Sequence, residues 1–177
     1  MQANTFLLTG LSGAGKTTLA KALYTKLKTE NYPSIILDGD EVRKGLCSDL
    51  GYSLEDRTES LRRVANMISL LSNDGLICIC AFIAPLHSQR MFFSKILGTS
   101  YHEIYIECPL NICQQRDVKG LYAKVRKGDI QEYTGISSPY EVPTNPHLII
   151  PTYKLSIEES IHMLYEYIVL NINNIKD

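Results

Sequence analysis

Residues 10–17 read Gly10, Leu11, Ser12, Gly13, Ala14, Gly15, Lys16 and Thr17, which meets the pattern G-x-x-x-x-G-K-[ST] without a mismatch. An apolar run over residues 5–9 leads into it, and a helix-forming stretch from Thr18 leads out. Strand, loop and helix in that order are the setting in which this pattern carries meaning. Glycines at 10, 13 and 15 let successive backbone N–H groups turn inward around an anion, and the helix that follows aims its positive end at the same point. The run therefore implies a site for the phosphates of a nucleoside triphosphate. Lys16 would reach the outer phosphates, and the Thr17 hydroxyl would ligate magnesium. A glycine-rich turn that matched by accident would lack these flanks.

At 177 residues the chain has the size of one domain, taken as residues 1–177. Its 45% hydrophobic and 21% charged residues are ordinary for a globular protein. The net charge of −1 supplies no global pull towards nucleic acid or an anionic membrane, so anion binding must come from local clusters. No apolar run approaches the length of a membrane span. The N-terminus has no basic-then-apolar signal layout, because its apolar stretch flows directly into the phosphate loop. Cys47, Cys78, Cys80, Cys108 and Cys113 are odd in number and lack zinc-like spacing. Cys78 and Cys80 stand two apart in an apparent strand, so they share a face and do not pair readily with each other. Reduced thiols in a cytoplasmic protein are the expectation.

Apolar β-branched runs alternate with helical patterns, which predicts an α/β fold. The expected form is a three-layer sandwich around a mainly parallel sheet of about five strands. Strands are expected at 5–9, 34–37, 76–82, 102–106 and 148–150, and helices at 16–29, 54–73, 88–97, 109–116 and 157–170. Leu61, Val64, Ala65, Ile68, Leu70 and Leu71 give the second helix an apolar stripe, which Asp74 and Gly75 end. Ile157, Ile161, Leu164, Tyr165 and Ile168 do the same for the last helix. Residues 117–146 are rich in Gly, Lys, Arg, Tyr and Pro, with periodicity only over 121–127. A segment of that length inside a compact domain is expected to be a lid that folds over substrates and excludes water.

A phosphate-loop enzyme needs a carboxylate near its metal. The third strand ends without one, whereas Asp38, Gly39 and Asp40 close the second. Carboxylates two apart in extended chain share one side. One can then face the metal or an attacking hydroxyl while the other braces the turn. Ligands bind at the carboxyl ends of strands in such sheets, which favours function over a simple Asp-Gly turn with an N-cap at Asp40. Arg43 follows Asp40 by one helical turn, and Arg57, Arg62 and Arg63 come next. Guanidinium forks suit phosphate and sulfate oxygens, although a solvated helix face accounts for one of Arg62 and Arg63. Within the lid, Arg116, Lys119, Lys124, Arg126 and Lys127 bring positive charge, and not all of them can serve a site.

Together these segments resemble the adenylylsulfate kinases, phosphate-loop kinases that phosphorylate the ribose 3′-hydroxyl of adenosine 5′-phosphosulfate. The resemblance runs from the phosphate loop to about Pro146. It is carried by Gly10 to Thr18, by the stretch from Leu37 to Leu46, by 50–57, and by Arg62 with Arg63. Ala81 to Ile83 and above all the lid stretches 115–130 and 133–146 complete it. The lid signature is far more specific than the phosphate loop. The resemblance implies that Gly10 to Thr18 hold the ATP phosphates, and that Asp40 lies by magnesium and the 3′-hydroxyl with Asp38 beside the acceptor. It implies that Arg43 and Arg57 contact the acceptor, that Arg116 lies against the ATP base, and that Lys119 stabilises the transferring group. Tyr52 and Tyr133 occupy the positions that sandwich the acceptor's adenine, where stacking contributes about 1–3 kcal/mol per base. Ser60, Ile83 and Ala84 fall at further acceptor positions. Magnesium (through Thr17 and Asp40), a homodimer and a small nucleotide acceptor are implied by the same likeness.

Three departures stand out. The family usually has Phe where this chain has Tyr52 and Tyr133, Asn where it has Ser60, and Ser where it has Ala84. Ala84 has no hydroxyl to phosphorylate, so a phosphoenzyme at that position is excluded, while direct in-line transfer needs none. A hydrogen bond to a charged group contributes about 1.5–3 kcal/mol, so losing the Asn bears on acceptor identity. A divergent acceptor such as a cytidine diphosphoramidate of a surface-polysaccharide pathway is the alternative. A nucleotide-binding module without catalysis is the third reading, and retention of Lys16, Thr17, Asp40 and Lys119 together argues against it.

Overall fold

The computed structural model describes residues 3–173; residues 1, 2 and 174–177 of the expected single domain lie outside the described residues. Five parallel strands form one sheet in the order β2-β3-β1-β4-β5, with β1 Thr5–Thr9, β2 Ser34–Asp38, β3 Ile77–Ala81, β4 Tyr101–Glu107 and β5 Leu148–Pro151. Every residue of β1 and β3 is buried, as strands covered on both faces require. Side chains alternate between the layers. Phe6, Leu8, Ile77 and Ile79 pack with α1 (Lys16–Thr29) and α7 (Ile157–Asn173) on one face. Leu7, Cys78 and Cys80 pack with α3 (Leu54–Asn73) and α4 (His87–Leu97) on the other. The two cysteines thus share a face, and all five thiols are free and buried. Burial pushes the Cys78 thiol up to about 11, which keeps it protonated and unreactive.

Helix α3 starts where the Ser53 hydroxyl accepts the Asp56 N–H at 3.1 Å. It buries Ala65 together with Leu61, Val64 and Ile68, the last three each contributing on the order of 1.5–3 kcal/mol. Two residues of the expected stripes fall outside them. Leu70 is 73% exposed and Ile157, at the first turn of α7, is 57% exposed. A 3.6-residue repeat turns Leu70 away from the sheet, and α7 begins before it reaches the core.

The sequence pattern predicts no helix at the second strand's end, and the structure has one. Gly39–Lys44 form a short helix, α2, so Asp40 lies in its first turn and not in extended chain, and Asp38 is its N-cap. The two carboxylates therefore do not share one side. Helices α5 (Leu110–Arg116) and α6 (Leu121–Lys127) flank the start of the lid. The strand order reverses about β1: the chain fills β2 and β3 on one side and then crosses to β4 and β5. The phosphate loop leaves β1 at that crevice, where doubly wound sheets bind ligands.

Candidate active site

The phosphate loop is shaped by close backbone approaches. A Cβ on Gly10 would stand 2.5 Å from the Ile106 carbonyl oxygen, and one on Gly13 would stand 2.9 Å from that of Cys113. Gly13 also adopts φ +81°, a region costly for other residues. Gly15 is the N-cap of α1, no side chain caps the first-turn amides, and no acidic residue lies in that turn. These N–H groups and the helix dipole are thereby left for an anion. Lys16 is buried and its Nζ donates to the Gly10 and Leu11 carbonyls at 2.9 and 2.8 Å. Burial lowers its pKa to about 8, aided by Lys119 and opposed by Cys113, Asp38 and Asp40.

Asp38 organises the strand end. Its Oδ2 accepts the Thr17 hydroxyl at 2.7 Å and its Oδ1 accepts the Asp40 N–H at 3.0 Å. One carboxylate thus ties the loop threonine to the start of α2. The Asp40 side chain is left to face outward, where it pairs with Lys119 of the lid. Lys16, Thr17, Asp38, Asp40 and Lys119 come together from three separate stretches of chain.

A second group forms beside them. Arg43 donates to the Gly51 carbonyl at 2.6 Å and its guanidinium sits 4.5 Å from the Tyr52 ring centroid. Arg57 donates to the Tyr52 carbonyl at 2.8 Å, to the Thr134 hydroxyl at 3.3 Å and to the Glu132 carbonyl at 3.2 Å. It therefore joins Tyr52 to both chain neighbours of Tyr133. The two rings differ in setting: Tyr52 is exposed, while Tyr133 is buried edge-on against Tyr122, with ring centroids 5.0 Å apart. Ser60 lies one turn further along α3 and is buried. The Ile83 carbonyl accepts the Thr9 hydroxyl at 2.6 Å. Ala84, at φ +41°, has its carbonyl bound by Arg90 at 2.9 Å.

Other basic residues stay outside this grouping. Arg62 and Arg63 both pair with Glu59, and Arg63 also pairs with Asp49. Lys124, Arg126 and Lys127 lie in the last turn of α6 and are exposed.

The lid lies down on the loop. The Asp117 carboxylate accepts the N–H groups of Tyr122 and Ala123 at 3.0 Å each, which starts α6. The Tyr122 hydroxyl donates to the Ser12 carbonyl at 2.9 Å. Gly135 packs on the Leu11 side chain, and a cavity of about 460 Å³ opens beside that contact, lined in part by Tyr140 and Val142. Glu141 fastens the far end, donating its N–H to the Pro85 carbonyl at 2.8 Å. Tyr122, Thr152 and Arg90 were not singled out from sequence. A buried tyrosine in a basic lid and a threonine after a short strand carry no spacing signal, and their partners Ser12 and Ala14 lie more than a hundred residues away in the chain.

Residues 2–151 match the model of the adenylylsulphate kinase family. An adenylyl-sulfate kinase of Clostridium acetobutylicum is 46% identical over 160 residues, covering 90% of this chain and 80% of that one. A probable adenylyl-sulfate kinase of Halalkalibacterium halodurans is 49% identical over 161 residues, with coverage of 90% and 80%. Among solved structures, the APS kinase CysC of Mycobacterium tuberculosis in complex with AMPPNP and APS superposes with a TM-score of 0.89 at 38% identity, over 93% of this chain and 96% of that one. A gluconokinase of Sinorhizobium meliloti, at 12% identity and a TM-score of 0.64, shares the fold alone. With its phosphate loop, lid and strand-end carboxylates arranged as described, this chain belongs to the adenylylsulphate kinase family.

Proposed function

We propose that this protein transfers the γ-phosphoryl group of ATP to the ribose 3′-hydroxyl of adenosine 5′-phosphosulfate, giving 3′-phosphoadenosine 5′-phosphosulfate and ADP. The observation that carries this reading is the meeting of Lys16, Asp40 and Lys119 at the carboxyl ends of β1 and β2. It is supported by relatives named adenylyl-sulfate kinase and by a similar structure holding AMPPNP and APS. Phosphoryl transfer asks for little covalent chemistry, so the protein contributes positioning and charge. The loop amides and Lys16 hold the ATP phosphates, and Arg116 lies against the base. Asp40 orients the acceptor hydroxyl and takes its proton as the new O–P bond forms and the β–γ bridge bond breaks. Lys119, released from Asp40, meets the charge that develops on the transferring group. Arg43, Arg57, Tyr52, Tyr133, Ser60, Ile83 and Ala84 form the acceptor side.

Magnesium fits the donors present. The Thr17 hydroxyl and the Asp38 and Asp40 carboxylates are hard oxygen ligands, and magnesium takes few protein ligands when phosphates and water supply the rest. When bound, it neutralises phosphate charge. We also read the protein as a homodimer in the cytoplasm, on family likeness.

The deciding experiment couples ADP release to a panel of adenosine and cytidine sulfo- and amido-nucleotides with MgATP. Preference for adenylylsulfate is the expected result. Preference for a cytidine diphosphoramidate would make Tyr52, Ser60 and Tyr133 a specificity switch and sink the adenylylsulfate assignment. ATP binding without any product would return the chain to a non-catalytic module.

A further inference from the structure

Thr152 follows β5 directly and belongs to none of the sequence motifs. Its hydroxyl oxygen lies 2.8 Å from the Ala14 carbonyl, 3.3 Å from the Glu107 carbonyl and 3.2 Å from Arg116 Nη1. A hydroxyl has a single proton to donate. The Glu107 carbonyl already accepts the backbone N–H of Thr152 at 3.0 Å, so the hydroxyl proton goes to Ala14, the nearer acceptor. Its lone pair then receives Arg116. The same guanidinium donates through Nη2 to the Thr152 carbonyl at 2.7 Å, and Nη1 has the Gly13 carbonyl at 3.4 Å as a second acceptor.

Arg116 is thus bound along one edge by Thr152 and the phosphate loop while its side chain stays exposed. A guanidinium held by its edge can offer a ligand its planar face, the geometry on which a nucleobase stacks. Arginine is otherwise a side chain with much rotamer freedom to lose on binding. Two bonds from one residue fix its plane in advance, and one of them, through the hydroxyl, ties that plane to the loop that holds the phosphates.

We propose that Thr152 is a positioning residue for ATP: its hydroxyl sets the plane of Arg116 against the phosphate loop, so that the base meets a preset guanidinium face. This inference rests on the kinase reading above.

The test compares Thr152→Val, which removes the hydroxyl at similar volume, with Thr152→Ser, which keeps it. Removing one hydrogen-bonding group at this strength is expected to raise KM for ATP about three- to ten-fold. The turnover number at saturating ATP should stay within roughly two-fold, as for lost uniform binding. Thr152→Ser should restore KM. Inorganic tripolyphosphate, which has no base, should inhibit the Val variant and the wild type with the same constant. On an Arg116→Ala background, Thr152→Val should add little, because the two residues act as one unit. Unchanged KM in Thr152→Val, equal weakening of ATP and tripolyphosphate, or full additivity with Arg116→Ala would overturn the proposal. If Thr152→Val does not fold, Thr152→Ala serves for the same comparisons. A wild-type chain without turnover would sink the kinase reading instead, and calorimetric ATP binding would then apply the same contrast to Thr152.

Discussion

Lys119 of the lid forms an ion pair with Asp40 at the start of α2, 79 residues earlier in the chain. The pair joins the lid to the strand end, and it occupies the groups proposed to act on the acceptor hydroxyl and on the transferring phosphoryl. Both side chains are more than half exposed, at 51% and 63%. An exposed pair contributes little to stability. Asp40→Asn and Lys119→Ala should therefore lower turnover by roughly a hundred-fold or more, in line with loss of acid–base or charge-stabilising groups. Thermal midpoints should stay close to wild type. Near-normal turnover in folded Asp40→Asn would remove Asp40 from its role.

Lys16 gives a pH prediction. Its pKa of about 8 in the free protein is depressed by burial, against 10.5 ordinarily. Phosphate binding needs the ammonium form, so below pH 8 the site is ready and above it binding must take up a proton. ATP affinity should fall as pH rises through 8, with a slope approaching one log unit per pH unit. Titration calorimetry at pH 8.5 in two buffers of different ionisation enthalpy reads the proton directly. Equal heats in both buffers would contradict the assignment. For folding the sign is opposite. The unfolded chain holds this proton up to 10.5, so the Lys16 contribution favours the folded state increasingly between pH 8 and 10.5.

Asp38 carries two bonds that can be separated. Asp38→Ala loses the cap of α2 and should cost about 0.5–2 kcal/mol in denaturant unfolding. Asp38→Asn keeps an oxygen for one partner and loses the charge beside Thr17. It should fold normally yet need a higher magnesium concentration for half-maximal activity. An unchanged magnesium requirement would place the carboxylate outside the metal's surroundings.

Gly13→Ala tests the loop. The added methyl meets the Cys113 carbonyl at 2.9 Å in a backbone conformation that alanine avoids. The strain is on the order of 1–3 kcal/mol, and relieving it moves the loop amides. Both the thermal midpoint and ATP affinity should fall, and wild-type values for both would mean the loop yields without cost.

Arg90 is the large charged side chain of the core, 1% exposed, 2.9 Å from Glu103 and bonded to the Ala84 carbonyl. Arg90→Met strands the Glu103 charge and frees the Ala84 carbonyl. Losing one partner of a buried pair costs about 3–5 kcal/mol, which denaturant unfolding would register. A loss below about 1 kcal/mol would show that Glu103 reaches water once Arg90 is gone.

Local chemistry made much of this protein legible in its sequence. The phosphate loop, all five strands and the long helices follow from glycine placement, short apolar β-branched runs, 3.6-residue repeats and helix-end residues, which depend on near neighbours in the chain. The lid stretch stood out because it broke those repeats. Helix α2 escaped because six residues hold too little periodicity to register, and its cap is an aspartate that serves Thr17 as well. The pairing of Asp40 with Lys119, the Tyr122 latch on Ser12 and the Thr152 brace on Arg116 join residues 36 to 110 positions apart. No sequence period encodes such pairs. Their geometry exists only once the sheet has brought the ends of β1, β2 and β5 to one crevice, where a hydroxyl's single proton or a guanidinium's fixed plane chooses its partner by distance and direction.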